Sequence, residues 1–542
     1  MLLLARLLLA LAGLPLSQPP PLAARSLPAP DALPRLLRAH VAFLADDALE
    51  GRGTGTRGGL IAAEYVAAQF RRLGLAPAGD SAGFLQRVHL LGRTPNAELR
   101  ATPDARAAGA GPDTAALRWA QDYVLAPEID DTVAHIGGEL VFAGYGVVAP
   151  NRGWDDYKGA DLRGKVALVL AGVPDPSRFD PGYGRPWNAV REKAQEAARR
   201  GAVGILVVDV PESGVPWEAI QALTRERIGL PAQPDAVRYW GWVTPDAAAS
   251  LAALGDQDFG RLMRAARDPD FRPTPLGVSL GGTLHVAIRP IETQNVVARL
   301  PGSGPHAREA VVVGAHYDHL GIGRPVYGDS IYNGAEDNAS GVAGVLGAAE
   351  KLAATHPARS IYFVAFGAEE LGLLGSQWFV AHPPVPQHEI VAAVAMDELN
   401  LYGATRDIGT VGVDQTSLGA VVRRAAAAEG MRINEDPDDI ASGRFYRSDN
   451  YSFARAGIPT IRLVNGLDYV GRPGGWGREQ RERYHTEREH RPSDELAPWM
   501  SFAGIAQQTR VLARSLRAIA DAPARPRWAA GSDFRAVGDG VP

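Results

Sequence analysis

The stretch VVVGAHYDHLGIGRPVYGDSIYNGAEDNAS, residues 311–340, decides how the fold is read. An apolar run ends in His316, Asp318 and His319, a Gly-rich loop follows, and Asp337 stands just ahead of a helix start. A strand that only fills a core has no use for such an ending. Two further segments repeat the pattern: SIYFVAFGAEE puts Glu369 and Glu370 past a β-rich run, and VAAVAMDELN puts Asp397 and Glu398 past another. In a parallel α/β sheet the carboxyl ends of the strands share one edge, and ligands bind in the crevice outside it. The expectation is an α/β fold with a metal site on that edge.

The rest of the chain is consistent with this reading. Its 542 residues allow several domains, and 46% hydrophobic with 22% charged residues is the balance of a globular protein. A net charge of −5 offers no basic surface, so nucleic-acid partners are set aside. The N-terminal MLLLARLLLALAGLPLSQ has one Arg in an apolar run that stops at Pro15, too short for stable membrane insertion. It is expected to be a signal for export to the periplasm or the extracellular space. The chain has no Cys, which removes a lipid-bearing thiol, disulfides and thiolate zinc ligands together. Any metal must be held by His and carboxylates.

Taken in order, HVAFLADDALEGRGTGTRGGLIAAEYVAAQFRRLGL reads as a short helix, a Gly-rich connection and a second helix. Leu60, Ala63, Val66, Ala67 and Phe70 fall at helical spacing in the second, and Gly74 stops it. The Gly-Arg-Gly-Thr-Gly segment lacks the Gly-Lys-Ser/Thr of a phosphate loop and is read as a connection. Residues 80–135 read as short strands. From GGELVFAGYG onward, strand, strand, helix REKAQEAARRGA and strand VGILVVDV suggest a small α/β module of its own. After Asp337 a helix begins, with Asn338 or Ser340 as its cap and Val342, Val345, Leu346, Ala349 and Leu352 on one face. A last helix is expected near Trp499 to Ile519.

The chemistry of a metal pair fits these residues. Zinc accepts imidazole nitrogen and carboxylate oxygen, and a catalytic site keeps one position open. Two ions close together need a bridging carboxylate. Glu369 and Glu370 are neighbours on a turn and point to different places, so one can bind metal while the other moves a proton.

HYDH, EDNASG, AEELGLLGS, MDELN and a late His before PSDE together resemble the co-catalytic di-zinc exopeptidases of the secreted aminopeptidase type, over about residues 36–520. Glutamate carboxypeptidase and the transferrin receptor are more distant relatives. The resemblance implies two Zn²⁺ ions, with His316 and Asp397 on one, Glu370 and the late His on the other, and Asp337 bridging. It implies Glu369 as general base and Asp318 as the residue that orients His316, leaving His319 structural. His490 is preferred as the late ligand because its PSDE frame is the longer match; His485 is the alternative. FYRSDNYSFARAGIP resembles the family's substrate-side stretch, with Asn450 where a His is usual, and Phe445, Tyr446 and Arg447 are candidates to line a pocket. The module around EKAQEAARRGAVGILVV resembles the protease-associated domain.

The expected organisation is then a signal at 1–25, the N-terminal part of the peptidase domain at 26–135, the insert at 136–290, the catalytic core at 291–520 and a disordered tail at 521–542. The expected fold is a mixed, largely parallel sheet sandwiched by helices, with a smaller β-rich α/β insert. The leading function is a zinc aminopeptidase acting on peptide substrates. A carboxypeptidase or dipeptidase, with Arg447 holding a terminal carboxylate, and a metal-free binding protein on the same scaffold are the rivals.

Overall fold

The computed structural model describes residues 32–104, 114–179, 186 and 189–535. The expected export signal lies outside the described residues. Among the described residues no helix is long and apolar enough to cross a membrane.

Helices α1 (Leu33–Leu44) and α2 (Arg57–Arg72) come first. Thr56 caps α2, and Ala63, Val66, Ala67 and Phe70 are buried along it as the spacing predicts. Leu60 is not: it is 45% exposed. The first turn of α2 packs backbone against backbone, so close that a Cβ at Gly58 would stand 1.7 Å from the Leu49 carbonyl oxygen. Only small residues fit on that face, and Leu60 is turned outward.

Residues 80–135 correct the sequence reading. The short strands are there at Ala115–Leu117 and at β2 (Tyr123–Pro127), but ahead of them runs one 19-residue strand, β1 (Leu85–Pro103). Gly92, Pro95 and Pro103 look like breakers, yet each sits in register, opposite Arg289, Val286 and Val278. The strand is tolerant because Pro is accepted where its missing N–H faces away from a partner.

Next come β3 (Val133–Phe142), β4 (Val166–Leu170), α3 (Val190–Ala198), β5 (Gly204–Val208) and β6 (Tyr239–Val243). Strands β3 to β6 pair in parallel, one after the next. This is the expected insert, with an earlier start. Its core also holds Ala97, Leu99, Tyr123, Leu125 and Ala134, so the chain enters the insert through the second half of β1.

Strand β7 (Thr274–Leu300) returns to the main domain over 27 residues. It pairs with β3 at one end and with β9 (Ser360–Phe366) at the other, and with β1 along most of its length. One mixed sheet therefore runs through both halves, largely parallel within each half and antiparallel where β7 joins them. The catalytic half adds β8 (Ala310–His316), α4 (Gly341–Leu352), α5 (Leu374–Ala381), β10 (Ile390–Met396), β11 (Asp407–Val411), β12 (Arg432–Asn434), α6 (Asn450–Arg455), β13 (Thr460–Val464), α7 (Trp476–Glu487) and α8 (Ala503–Asp521). Strands β9, β8, β10 and β13 lie side by side and parallel.

Both faces of this sheet are covered. Val311, Val313 and Ala315 of β8 pack with α1, α2, α4 and α8, while Val312 packs the other way with Phe379 of α5 and Phe453 of α6. Burial on both faces is why these strands read as unbroken apolar runs. Asn338 accepts a hydrogen bond from the Gly341 N–H at 2.9 Å and caps α4.

The tail beyond α8 is a second correction. Trp528 is 7% exposed, donates its indole N–H to the Gly457 carbonyl at 2.8 Å, and packs with Phe534 against Phe445 and Val464. Two aromatic anchors outweigh an Ala, Pro and Arg composition that reads as disorder. Residues from 536 on lie outside the described residues.

Candidate metal centre

Three parallel strands end at one edge and bring their next residues together. His316 closes β8, Glu369 and Glu370 follow β9, and Asp397 follows β10. Register makes this unavoidable: His316 is opposite Phe366, and Gly314 is opposite Ala395. Asp337 arrives on the turn before α4. His490 comes from beyond α7 and sits at φ +55°, as Ala368 and Glu398 beside the other acids do at +56° and +54°. Left-handed backbone at non-glycine residues costs ~1–3 kcal/mol and collects at functional sites.

The distances are specific. His316 Nε2 is 3.2 Å from Asp337 Oδ1 and 3.3 Å from Asp397 Oδ1. His490 Nε2 is 3.3 Å from Asp337 Oδ2 and 3.2 Å from Glu370 Oε2. Each imidazole thus faces two carboxylates, and Asp337 gives one oxygen to each group. Ligands held ~2.0–2.2 Å from a tetrahedral zinc stand about 3.3–3.6 Å apart, so these imidazole–carboxylate distances are close to that spacing. Glu369 Oε2 is farther from His316 Nε2, at 3.9 Å. His485, the alternative to His490, lines the same cavity but meets other partners: its Nδ1 is 2.7 Å from Glu489 and its Nε2 3.5 Å from Arg444, and with Glu398 and Glu489 it forms a separate group that could hold an ion.

The surrounding shell fixes these groups. Asp318, fully buried, accepts from the Glu369 N–H at 3.1 Å and from Thr54 Oγ1 at 3.0 Å. His316 Nδ1 is 3.2 Å from the Asp318 carbonyl oxygen and 3.9 Å from its carboxylate. It is the Asp318 backbone that holds the ring most closely. His319 proves more than filler: its Nδ1 is 2.6 Å from Glu370 Oε1.

Other supports stand behind these groups, and the first of them, Asp494, is the Asp of the PSDE motif. Asp494 accepts from the Glu336 and Asp337 N–H groups at 3.0–3.1 Å and so holds the bridging residue's backbone. Arg462 Nη2 lies 3.1 Å from Asp397 Oδ2 and 3.3 Å from Glu398 Oε2. An Arg inside the apolar run TIRLV was the one signal available for it. Arg52, fully buried, donates Nε to the Tyr317 carbonyl at 2.7 Å, Nη2 to Gly334 at 3.0 Å, and Nη1 to Leu44 and Asn333. It ties the loops on either side of the site to the N-terminal segment.

Electrostatics follow from this crowding. Burial alone would neutralise every acid here. Asp337 nonetheless stays well below the usual carboxylate range, because hydrogen bonds from His316 and His490 outweigh burial. Asp397 is lowered against burial by Arg462 and then His316, and Glu370 by His319 and His490 against burial and Asp337. Glu369 moves the other way: burial, reinforced by Glu370, Asp449 and Asp397, raises it well above the ordinary value in spite of His316. His490 is pushed up to about 11 by its bonds to Asp337 and Glu370. Acids and imidazoles at these separations are of the chemistry that can hold cation charge.

A cavity of about 870 Å³ opens onto His316, Asp337, Glu369, Glu370 and Asp397. Tyr446 and Arg447 line it, as the sequence suggested. Phe445 does not. Its ring is fully buried beneath the wall, among Val411, Ala454, Val464, Trp528 and Phe534, because an apolar ring with a hydrophobic bed available leaves a polar cleft.

Residues 295–507 match the model of Peptidase family M28, and residues 136–234 match the PA domain. The chain is 30% identical over 309 residues to a probable zinc metalloprotease of Pyrenophora teres f. teres, an alignment that covers 55% of this chain and 62% of that protein. It is 25% identical over 339 residues to aminopeptidase YwaD of Bacillus subtilis, covering 60% and 57%. With leupeptin-inactivating enzyme 1 of Streptomyces exfoliatus it shares 29% over 178 residues, covering 32% and 36%. The chain thus spans about a third to three fifths of the length of these relatives. Among solved structures, an aminopeptidase from Aneurinibacillus sp. strain AM-1 aligns over 91% of this chain and 95% of its own at 17% identity, with a TM-score of 0.43.

Proposed function

We propose, from the premise that residues 295–507 belong to peptidase family M28 and residues 136–234 are a PA domain, that this protein is an exported zinc-dependent aminopeptidase. It removes N-terminal residues from peptides in the periplasm or outside the cell. The observation that carries the reading is the shared carboxylate: Asp337 turns one oxygen to His316 at 3.2 Å and the other to His490 at 3.3 Å, at the mouth of a peptide-sized cavity. His316, Asp337 and Asp397 would hold one Zn²⁺, and His490, Asp337 and Glu370 the other.

When bound, such ions acidify water and polarise a carbonyl oxygen. Glu369 is the group left to move protons. It is close enough to group with His316 and Asp397, yet at 3.9 Å it stands farther from the His316 ring than Asp337 or Asp397 does, and Asp318 pins its backbone. A raised carboxyl is suited to taking a proton from the attacking water and returning it to the leaving amine. Nearby cations would favour its ionised form and so oppose that rise. Asp318 and His319 act as positioning residues, for His316 and Glu370 respectively.

Digestion of a peptide library by the purified protein, with and without chelator, tests this by mass spectrometry. One-residue losses from free N-termini that stop on chelation and return with zinc are expected. Arg447, 62% exposed and only 3.5 Å from Glu489, is the observation that favours the rival. Cleavage of N-blocked peptides from the carboxyl end would make the protein a carboxypeptidase. Zinc near zero with no activity on adding it would leave a binding protein.

A further inference from the structure

The insert touches the substrate side of the cleft through one helix. Glu192, near the start of α3, accepts a hydrogen bond from the Tyr451 hydroxyl at 3.1 Å and lies 3.6 Å from Arg455 Nε. Its side chain is only 12% exposed. Next to it, Arg191 Nη1 is 2.7 Å from Gln377 Oε1 on α5. The ring of Tyr451 meets that of Tyr446 edge-on, with centroids 5.3 Å apart at 89°. Tyr446 lines the cavity, and Tyr451 does not. On the far side, Ser452 Oγ is 2.8 Å from Ser376 Oγ, so α6 is held to α5 as well.

The chemistry makes the link directional. Burial keeps the Tyr451 phenol protonated, so it donates, and the carboxylate of Glu192 is its acceptor. A hydrogen bond to a charged group is stronger than a neutral one. An edge-on aromatic pair fixes ring orientation as well as distance. The chain Glu192, Tyr451, Tyr446 therefore passes from the insert to the cleft wall in two contacts.

We propose that Glu192 is a positioning residue: by anchoring Tyr451 it holds the Tyr446 wall, so that the insert sets how tightly the cleft binds a peptide. This rests on the reading of the cavity as a peptide site. The test compares zinc-loaded E192A, Y451F, E192A/Y451F and E192Q with the parent, on a pentapeptide with a free N-terminus. The part of one charge-assisted hydrogen bond that reaches the cleft wall should give roughly a three- to tenfold rise in KM, with kcat within twofold. E192A and Y451F should each show it, the double variant should show no more than either, and E192Q, which keeps an acceptor oxygen, should return to within twofold of the parent. Unchanged KM, multiplied effects in the double variant, or a fall in kcat alone would overturn the proposal. Amide hydrogen exchange on the same full-length proteins is independent of catalysis. Exchange across 445–451 should quicken several-fold in E192A and Y451F, and equal rates would sink the link even in a protein with no peptidase activity. A parent that releases no residue while its exchange responds as expected would refute the peptide reading and leave the coupling standing.

Discussion

Replacing Arg52 with Lys probes the most heavily bonded side chain near the site. The guanidinium reaches four carbonyl oxygens, of Leu44, Tyr317, Asn333 and Gly334, from a fully buried position. Burial pulls its pKa down to about 10, against the pull of Asp337 and Asp318, so it is charged at neutral pH. Lysine keeps the charge but presents three donors from one point, and cannot span acceptors served by a planar fork. One or two carbonyls would lose their partner. Each unsatisfied buried polar group costs ~1–3 kcal/mol, which gives a loss of about 1–6 kcal/mol. That is a large share of the ~5–15 kcal/mol that holds a typical domain together. Urea unfolding of chelator-treated protein, followed by tryptophan fluorescence, measures the loss without contribution from zinc. The matched control is R163K, since Arg163 is 83% exposed beside Asp161 and should change stability by less than ~0.5 kcal/mol. Zinc affinity of R52K should fall too, because the loops carrying His316 and Asp337 lose their common tie. An R52K protein as stable as R163K would refute the clamp.

Three further outcomes follow from the same structure. E369Q should lower kcat by about 10²–10⁴-fold while zinc content, measured by atomic emission, stays at the parent level; loss of metal instead would make Glu369 a ligand. W528A, which empties a site 7% exposed in the parent, should cost ~3–5 kcal/mol in the same urea assay, and a neutral result would mean the tail does not pack. His40, buried beside Tyr65, has its pKa lowered from 6.5 to about 4 by burial and then Arg72. The unfolded chain therefore binds the extra proton first, and stability should fall as pH drops from 6.5 toward 4, by up to about 3 kcal/mol. H40Q should flatten that part of the stability profile; a profile as steep as the parent's would count against the burial effect.

The residues that meet at the sheet edge were legible because strand ends repeat a local pattern. An apolar run followed by His or a carboxylate can be read without knowing the fold, and parallel pairing then brings His316, Glu370 and Asp397 together. What escaped was support supplied from a distance. Arg52 acts 265 and more residues away on Tyr317, Asn333 and Gly334, and nothing in a Gly-rich connection announces a clamp. His319 reads as structural, but its partner Glu370 was not legible, because nearness in sequence says nothing of which carboxylate each ring meets. Phe445 was misplaced for a related reason: the segment does reach the cleft, but on a 3-10 turn that sends one ring inward, and of the three candidates only Tyr446 and Arg447 face the cavity. The long β1 was hidden by Pro and Gly, whose cost depends on which edge of a sheet they occupy.

The 27-residue strand β7 settles what kind of joint separates the two halves of the molecule. A lid on a flexible tether swings about a few soft dihedrals, but here the crossing is a ladder of rungs from Leu85 opposite Val296 to Pro103 opposite Val278, with no slip in register. Pivoting the insert would mean snapping those rungs, so it can only lean as a ribbon twists. Excising it at the borders of the PA domain would orphan the outer lengths of β1 and β7 as a two-stranded arm, and a faithful graft onto another peptidase must carry both strands with it.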